Sequence, residues 1–122
     1  MNAQDLEKHQ WENRVIVIAS PTFGNSQAAI QLASLKVEAQ ALKERKVIVY
    51  HVTNSGFTVN FDKEVLVSEK SESAITSFNV SLIGLDGTEK FHATEMQKAV
   101  KFFSLIDAMP MRQREIKGNN KE

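Results

Sequence analysis

A strand, a loop and a long helix follow one another near the start of the chain, and this order constrains the fold most. The strand Val15–Ile18 is apolar at every position, which is typical of a strand buried on both faces of a sheet. After the loop Pro21–Gln27, regularly spaced apolar residues predict a helix over Ala28–Glu44. The apolar strand Val47–Val52 follows directly. A strand, a helix and a strand of these lengths predict a right-handed parallel crossover.

The predicted first helix has an expected cap and an expected buried stripe. Ser26 places a hydroxyl at the position of an N-cap. Mostly basic residues close the helix, which suits the negative end of its dipole. The stripe that we expect to be buried comprises Ala28, Leu32, Leu35, Ala39 and Leu42, widened by Ile30, Ala33, Val37 and Ala41.

The second half of the chain predicts a hairpin followed by a helix. Val80–Leu85 and Thr88–His92 have the pattern of two strands joined by a two-residue turn, Asp86-Gly87. Thr94–Gln97 has the pattern of a capping box that begins the last helix. Pro110 is expected to end that helix, because proline disfavours helical conformation in the residue before it.

The segment between these halves, residues 56–77, is less regular. Phe57, Val59 and Phe61 alternate as in a half-buried strand. Residues 62–70 are expected to be irregular or partly extended. A short helix is expected to begin at Ser71, with Ala74, Ile75 and Phe78 on one side.

These elements predict one α/β domain over residues 1–117 with a thioredoxin-like fold, and a disordered C-terminal tail over 118–122. The expected core is a central mixed sheet of about four to five strands flanked by helices. A truncated flavodoxin-like unit and a ferredoxin-like sandwich are the alternatives. The hairpin argues against the first, and the long opening helix and uneven middle argue against the second.

The composition excludes several classes of function. The chain has 122 residues with 15 basic and 15 acidic side chains, so no bulk charge favours binding of nucleic acid. It has no cysteine, which removes disulfides, thiolate metal sites and thiol catalysis. No apolar run approaches the roughly 20 residues of a transmembrane segment. The three histidines lack metal-ligand spacing, so we expect neither a metal nor a cofactor.

The first residues bear on where the protein is located. Residues 2–13 are polar and contain no apolar stretch, unlike a signal peptide. The residues Asn2-Ala3-Gln4 are compatible with the remainder of a trimmed leader. We therefore expect a periplasmic or secreted protein whose leader was removed, or otherwise a cytoplasmic protein.

Three segments of the chain resemble the P-DUDES family, a group of short bacterial proteins related to extracellular proteins of the DRO/URB/equarin/SRPUL group. They are the opening Leu6–Arg14 with the apolar strand after it, the hairpin Leu82–Lys90, and the closing stretch Phe103–Glu115. The resemblance extends from about Leu6 to Ile116. It implies a thioredoxin-like fold, no established reaction and, for many bacterial members, export.

A comparison with the thioredoxin pattern places the active-site tetrad near Gly24-Asn25-Ser26-Gln27. The residue that is usually a cis-proline falls near Phe78 or Asn79. Disulfide exchange requires a sulfur nucleophile and a sulfur leaving group, and the chain has neither. We therefore expect no thiol redox catalysis.

The loop before the first helix is one candidate ligand site. Gly24, Asn25 and Ser26 would present backbone N–H groups and a hydroxyl at a helix N-terminus, where anions bind readily. A serine nucleophile needs a base, and His51 at the end of the second strand is the nearest candidate. The structural alternative is that Ser26 only caps its helix.

The arginines near the two ends of the chain are the second candidate site. The guanidinium groups of Arg14, Arg112 and Arg114 have the fork geometry that binds carboxylate and phosphate. In the structural alternative, they pair with Asp107, Glu115 or Glu12 and fasten the chain ends to the domain. The acidic residues lie within the same motifs as the arginines, which favours the structural alternative.

We therefore predict a non-catalytic binding or interaction module whose partner is an unknown protein or a small anionic ligand. A protein partner would pair with the sheet edge around Phe57–Phe61, where backbone groups are expected to be free. The alternative is an enzyme or anion-binding protein that uses Ser26 with His51 or with the arginines.

Overall fold

The computed structural model describes residues 8–66 and 74–120, with side chains up to Lys117. The strands are β1 (Arg14–Ala19), β2 (Val47–Val52), β3 (Phe57–Val59), β4 (Asn79–Ile83) and β5 (Glu89–Ala93). The helices are α1 (Ser26–Lys36), α2 (Ala39–Glu44), α3 (Ala99–Asp107) and α4 (Pro110–Asn120). Among these residues, no helix has the length and apolar character needed to cross a membrane.

The five strands form one mixed sheet in the order β3-β2-β1-β4-β5. β1 and β2 are parallel, and the other three pairs are antiparallel. The central strand β1 pairs Ile16 with Val49 on one side and with Leu82 on the other. The predicted α/β class and mixed sheet flanked by helices are therefore confirmed.

The larger core lies on one face of the sheet. Side chains alternate between the two faces of a strand, so every second residue of the central strands meets the helices on this face. Burial of each large apolar side chain contributes about 1.5–3 kcal/mol to stability. The buried cluster comprises Ile16, Ile18, Ala28, Leu35, Leu42, Val47, Val49, Phe78, Val80, Leu82, Phe102 and Ile106.

The opposite face of the sheet carries a smaller cluster. Val15, Tyr50 and Val52 are its buried members, and partly buried residues such as Ile75 pack against them. Within 8–66 and 74–120, no helix contributes a residue to this cluster. β1 is thus apolar on both faces, as its sequence predicts.

The first helix differs from its prediction in three ways. Asn25, not Ser26, is the N-cap, because its side-chain oxygen accepts the Ala28 N–H at 3.0 Å. The helix ends at Lys36 rather than near 44, and β-branched Val37, with its lower helix propensity, lies at the break. Ile30 and Val37 are exposed, by 57% and 83%. The buried stripe is narrower than predicted and consists of Ala28, Gln31 and Leu35.

A buried amide explains why α3 begins later than predicted. The Gln31 side chain accepts the backbone N–H of Gln97 at 2.7 Å and donates to the carbonyl of Gln97 at 2.9 Å. These two bonds hold Gln97 outside any helix, so the predicted capping box at Thr94–Gln97 is wrong. α3 instead begins at Ala99.

Proline both ends one helix and begins the next. α3 ends at Asp107, before Pro110, as predicted. Pro110 is then the first residue of α4, where its missing N–H removes no helical hydrogen bond. α4 reaches Asn120 and includes the first three residues of the predicted tail 118–122. The last two residues of that tail lie outside the described part of the chain.

The hairpin has a longer connection than the predicted two residues. Ile83 pairs with Glu89, so the loop is Gly84–Thr88. Gly87 has φ +85°, in the left-handed region that favours glycine. The residues before β1 lie against this loop, since the Trp11 N–H donates to the Leu85 carbonyl at 2.6 Å.

The middle of the chain is irregular, as predicted, but it closes a sheet edge. Phe57 and Leu66 exchange two backbone hydrogen bonds of 2.8 Å. Gly56 permits this approach, because a Cβ there would collide with the Leu66 carbonyl oxygen. The predicted start of a helix at Ser71 lies outside the described residues, and residues 74–78 form no helix.

We expect Gln31→Ala to lower the free energy of unfolding by about 1–3 kcal/mol, because the N–H and carbonyl of half-buried Gln97 would lose their partner. Gln27→Ala is the matched control, since Gln27 is exposed on the same helix and surface changes usually stay within about 0.5 kcal/mol. Urea denaturation of both variants measures the difference. Equal stabilities would contradict the role given to Gln31.

Candidate functional site

The loop before α1 does not assemble the predicted ligand site. Asn25 uses its side-chain oxygen to cap the helix. Ser26 is the exposed first residue of α1, and Gly24 is exposed beside it. His51 is buried, and its Nε2 contacts another serine. The structure therefore places Gly24, Asn25 and Ser26 together but does not join them to His51 through a hydrogen bond.

The serine that meets His51 is Ser20, which the sequence did not single out. Ser20 Oγ lies 2.7 Å from His51 Nε2, and both residues are almost fully buried. Ser20 follows β1 and His51 lies near the end of the parallel strand β2, so neighbouring strand ends bring them together. Phe23 covers the imidazole edge to face, with 5.1 Å between ring centroids. Ser20 has no exposed surface, so a substrate cannot reach its hydroxyl.

The hydrogen bonds of Ser20 determine which residue of this pair is the donor and which is the acceptor. Its hydroxyl has one proton and donates it to the Thr22 carbonyl at 2.8 Å. The Ser20 oxygen therefore accepts a hydrogen bond from His51, whose Nε2 must carry the proton. A serine nucleophile needs the reverse arrangement, with an unprotonated nitrogen accepting the hydroxyl proton. The geometry suits a structural bond.

Burial lowers the pKa of His51 below its usual value of 6.5. We expect His51 to stay neutral in the folded protein at pH 6.5, with its proton on Nε2. The unfolded chain protonates His51 to the imidazolium at a higher pH than the folded protein does. The free energy of unfolding therefore decreases as the pH falls below 6.5. Two-dimensional ¹H–¹⁵N spectra of the imidazole report tautomer and titration together. A neutral Nδ1-protonated form would contradict the assignment.

Two of the three predicted arginines come together at the start of β1. Arg14 donates to both carboxylate oxygens of Glu115, at 3.3 and 3.1 Å. Arg112 donates to Glu115 at 3.3 Å and to Asp107 at 3.2 Å. Arg45, which the sequence did not single out, binds Asp107 through two hydrogen bonds of 3.0 and 2.9 Å. We call these five residues the arginine cluster.

Arg114 lies outside the cluster. It is exposed, and in the described part of the chain it takes part in none of the ion pairs. Successive helical residues point in different directions, so Arg112 and Arg114 cannot share one face of α4. The spacing of the three arginines in the sequence did not show this separation.

The arginine cluster has more positive than negative charge. Three guanidinium groups share two carboxylates, which leaves one positive charge in excess. Backbone carbonyls at the end of α2 reduce this excess, since Arg45 donates to the Ala41 oxygen and Arg112 to the Glu44 oxygen. The negative end of a helix dipole suits such cations. The cluster therefore fastens β1, α2, α3 and α4 to one another.

The arginines lower the pKa values of both carboxyl groups. Hydrogen bonds from Arg45 are the main cause for Asp107, and Arg112 adds to them against the effect of burial. Burial raises the pKa of Glu115, but the hydrogen bonds and charge of Arg14, with those of Arg112, outweigh it. Both carboxylates are thus ionised at neutral pH.

We expect the pairing of Glu115 to stabilise the fold fully above its usual pKa of 4.5 and to lose this effect as the pH falls through the lowered value. Glu115→Gln should therefore cost about 1.5–3 kcal/mol at pH 7 and much less at pH 3. Urea denaturation at both pH values measures the change. Glu95→Gln, at an exposed position, is the control, and an equal loss at both pH values would contradict the ion pair.

A pocket of about 470 Å³ opens beside the arginine cluster, and we call it the end pocket. It lies between the hairpin loop and the joint of α3 and α4. This volume is typical of sites for small organic ligands. Its apolar wall consists of Leu85, Leu105, Ala108, Met109, Pro110 and Met111, and its polar wall consists of Arg14, Asp86 and Lys90.

Arg14 contributes an unsatisfied donor to this region. Its side chain is fully buried, and its Nη groups bond to Glu115 and to the Arg45 carbonyl. Across the described residues, its Nε is the one buried side-chain nitrogen or oxygen without a hydrogen-bond partner. Buried polar groups almost always have partners, so this N–H is an exception that needs an explanation.

In residues 8–66 and 74–120, no three His, Asp or Glu side chains are grouped to hold a metal ion. The sheet edge at Phe57–Phe61 is partly occupied, since Leu66 bonds to Phe57 and the Asp62 N–H donates to the Val59 carbonyl at 3.0 Å. A second pocket, of about 460 Å³, is lined by His51, Ala33 and Phe61 among others. We call it the side pocket.

Comparison with known proteins gives one family. The model of a domain of unknown function (DUF4174) matches residues 5–115, which is most of the 122-residue chain. A search of the curated proteins gave no match to the chain.

Proposed function

This chain belongs to the DUF4174 family, and we propose that it is a non-catalytic binding module that holds a small anionic ligand in the end pocket. The observation that carries the proposal is that Arg14 lines a ligand-sized pocket and has a buried Nε–H without a partner. A buried donor without a partner costs about 1–3 kcal/mol. A ligand oxygen that accepts this N–H would offset the cost.

The charge of the site favours an anion over a neutral ligand. The arginine cluster has one positive charge in excess, and Arg14 is its member on the pocket wall. The first turn of α4 also borders the pocket and contains no acidic residue. The N-terminus of a helix carries partial positive charge and free N–H groups.

We propose a thioredoxin-like fold for this module. The order β2-β1-β4-β5, with β1 and β2 parallel and β4 antiparallel to β1, supports it. So do the helical crossover after β1 and the closing helix after the hairpin. The usual reaction of that fold has no counterpart here, because the chain has no cysteine.

A relationship to the P-DUDES family is part of the same proposal. The three segments that carry the resemblance meet at the end pocket. Leu6–Arg14 supplies Arg14, Leu82–Lys90 supplies the hairpin residues, and Phe103–Glu115 supplies the apolar wall. A shared ligand site would account for resemblance in segments so far apart in the chain.

The alternative function, a hydrolase, has less support from the geometry. Ser26 is exposed and has no base bonded to it, while His51 is engaged with buried Ser20. His51 Nε2 carries a proton, whereas a general base would need this nitrogen to be unprotonated. Ser26, His51 and an arginine do not meet in either pocket.

The probe 8-anilinonaphthalene-1-sulfonate tests the proposal, because it joins an anionic group to an apolar body. We expect its titration into the ¹⁵N-labelled full chain to shift the Nε–H signal of Arg14. Ala108→Phe should fill the end pocket and weaken binding at least tenfold, since Ala108 is an exposed wall residue. The readouts are the ¹H–¹⁵N spectrum and probe fluorescence.

Ala33→Phe is the matched control, because Ala33 is an exposed residue on the wall of the side pocket. We expect it to leave binding of the probe unchanged. If Ala33→Phe abolishes binding and Ala108→Phe does not, the ligand site is the side pocket. If the Arg14 signal does not move at saturation, the proposed function is wrong.

A further inference from the structure

We infer that the ligand of the end pocket is a monoanionic amphiphile, a single carboxylate on an apolar chain of medium length, such as a fatty acid. This inference rests on the proposed function and adds the chemical class of the ligand. It follows from the number of free donors, the charge opposite them and the composition of the walls.

Arg14 offers one acceptor position to a head group. Glu115 and the Arg45 carbonyl already occupy the Nη groups of Arg14. Only its Nε–H remains, so Arg14 cannot form the bidentate fork that holds a phosphate. One free guanidinium N–H and one excess charge match a carboxylate with a single negative charge.

The acid on the pocket wall opposes a doubly charged head group. Asp86 accepts hydrogen bonds from the Thr88 N–H and hydroxyl and from Lys90, at 3.0, 2.7 and 2.9 Å. These contacts, led by the Thr88 backbone N–H, lower the pKa of Asp86 to about 2. Asp86 is therefore ionised and neutralises Lys90. A dianion would meet this fixed negative charge without a free cation to compensate it.

The rest of the pocket suits an apolar chain. Six of its nine wall residues are apolar, and they surround the joint of α3 and α4. Met109 and Met111 flank Pro110 there, and methionine side chains adapt to irregular apolar shapes. Burial of each ligand methylene contributes about 0.8 kcal/mol. A small inorganic anion would leave this wall unused.

The test compares four probes on the full chain at pH 7.5: decanoate, 1-decanol, inorganic phosphate and decyltrimethylammonium. We expect decanoate to bind at least tenfold more tightly than decanol and to shift the Arg14 Nε–H signal. Phosphate and the cation should leave that signal unchanged. Isothermal titration calorimetry and ¹H–¹⁵N spectra give affinity and location.

A pair of substitutions tests the sign of the charge without disturbing the buried arginine. Met111→Glu places a carboxylate on the wall, and Met111→Gln is its neutral control of the same shape. We expect Met111→Glu to weaken decanoate binding at least tenfold relative to Met111→Gln, with little difference for decanol. Equal effects on decanoate would show that its charge is not recognised at this site.

The outcomes separate this inference from the proposed function. If the anilinonaphthalene sulfonate binds in the end pocket but decanoate binds no better than decanol, the carboxylate amphiphile is wrong and the anion-binding module stands. If phosphate binds more tightly than decanoate, the predicted ligand class is likewise wrong, but the anion-binding module stands. If neither the sulfonate probe nor decanoate binds, both proposals are wrong.

Discussion

The fold depends on the buried ion pair between Arg14 and Glu115. Arg14 is the first residue of the central strand and is fully buried, and a guanidinium there without a carboxylate would cost several kcal/mol. Its partner lies 101 positions later in the chain, on the last helix. The charge of the first strand is therefore compensated only after the last helix has docked. This requirement joins the two ends of the chain into one cooperative unit.

The same requirement creates the end pocket. Glu115 reaches Arg14 because α4 begins anew at Pro110 instead of continuing α3. The joint between the two helices leaves Met109 and Met111 beside the hairpin loop. Because Glu115 engages only the Nη groups, it leaves Nε as the free donor. The contact that stabilises the fold and the donor without a partner thus belong to one side chain.

Local patterns predicted the sheet better than the helix ends. The apolar run at β1 and the bounds of β2 depend on apolar residues that are consecutive in the chain, which the sequence shows directly. The start of α3 depends instead on Gln31, a residue 66 positions away whose amide holds Gln97. The predicted N-cap, Ser26, is wrong by one residue, because Asn25 and Ser26 are adjacent and both side chains are good N-caps. Neither the start of α3 nor the identity of the N-cap can be deduced from the spacing of apolar residues in the sequence.

The sequence predicted the candidate site only in part. The arginines near the two ends of the chain formed one predicted ligand site, and Arg14 lies on the wall of the end pocket. The loop after β1 was the other, because anions bind readily at the N-terminus of a helix. There Ser20 bonds to His51 and to the Thr22 carbonyl, and Phe23 packs on the imidazole. The end pocket lies at the amino end of β1, where the order of the sequence gives no sign that Arg14 and Met111 are neighbours. Among the described residues, β1 thus has an unsatisfied donor, Arg14 Nε, at one end and a hydrogen-bonded serine and histidine at the other.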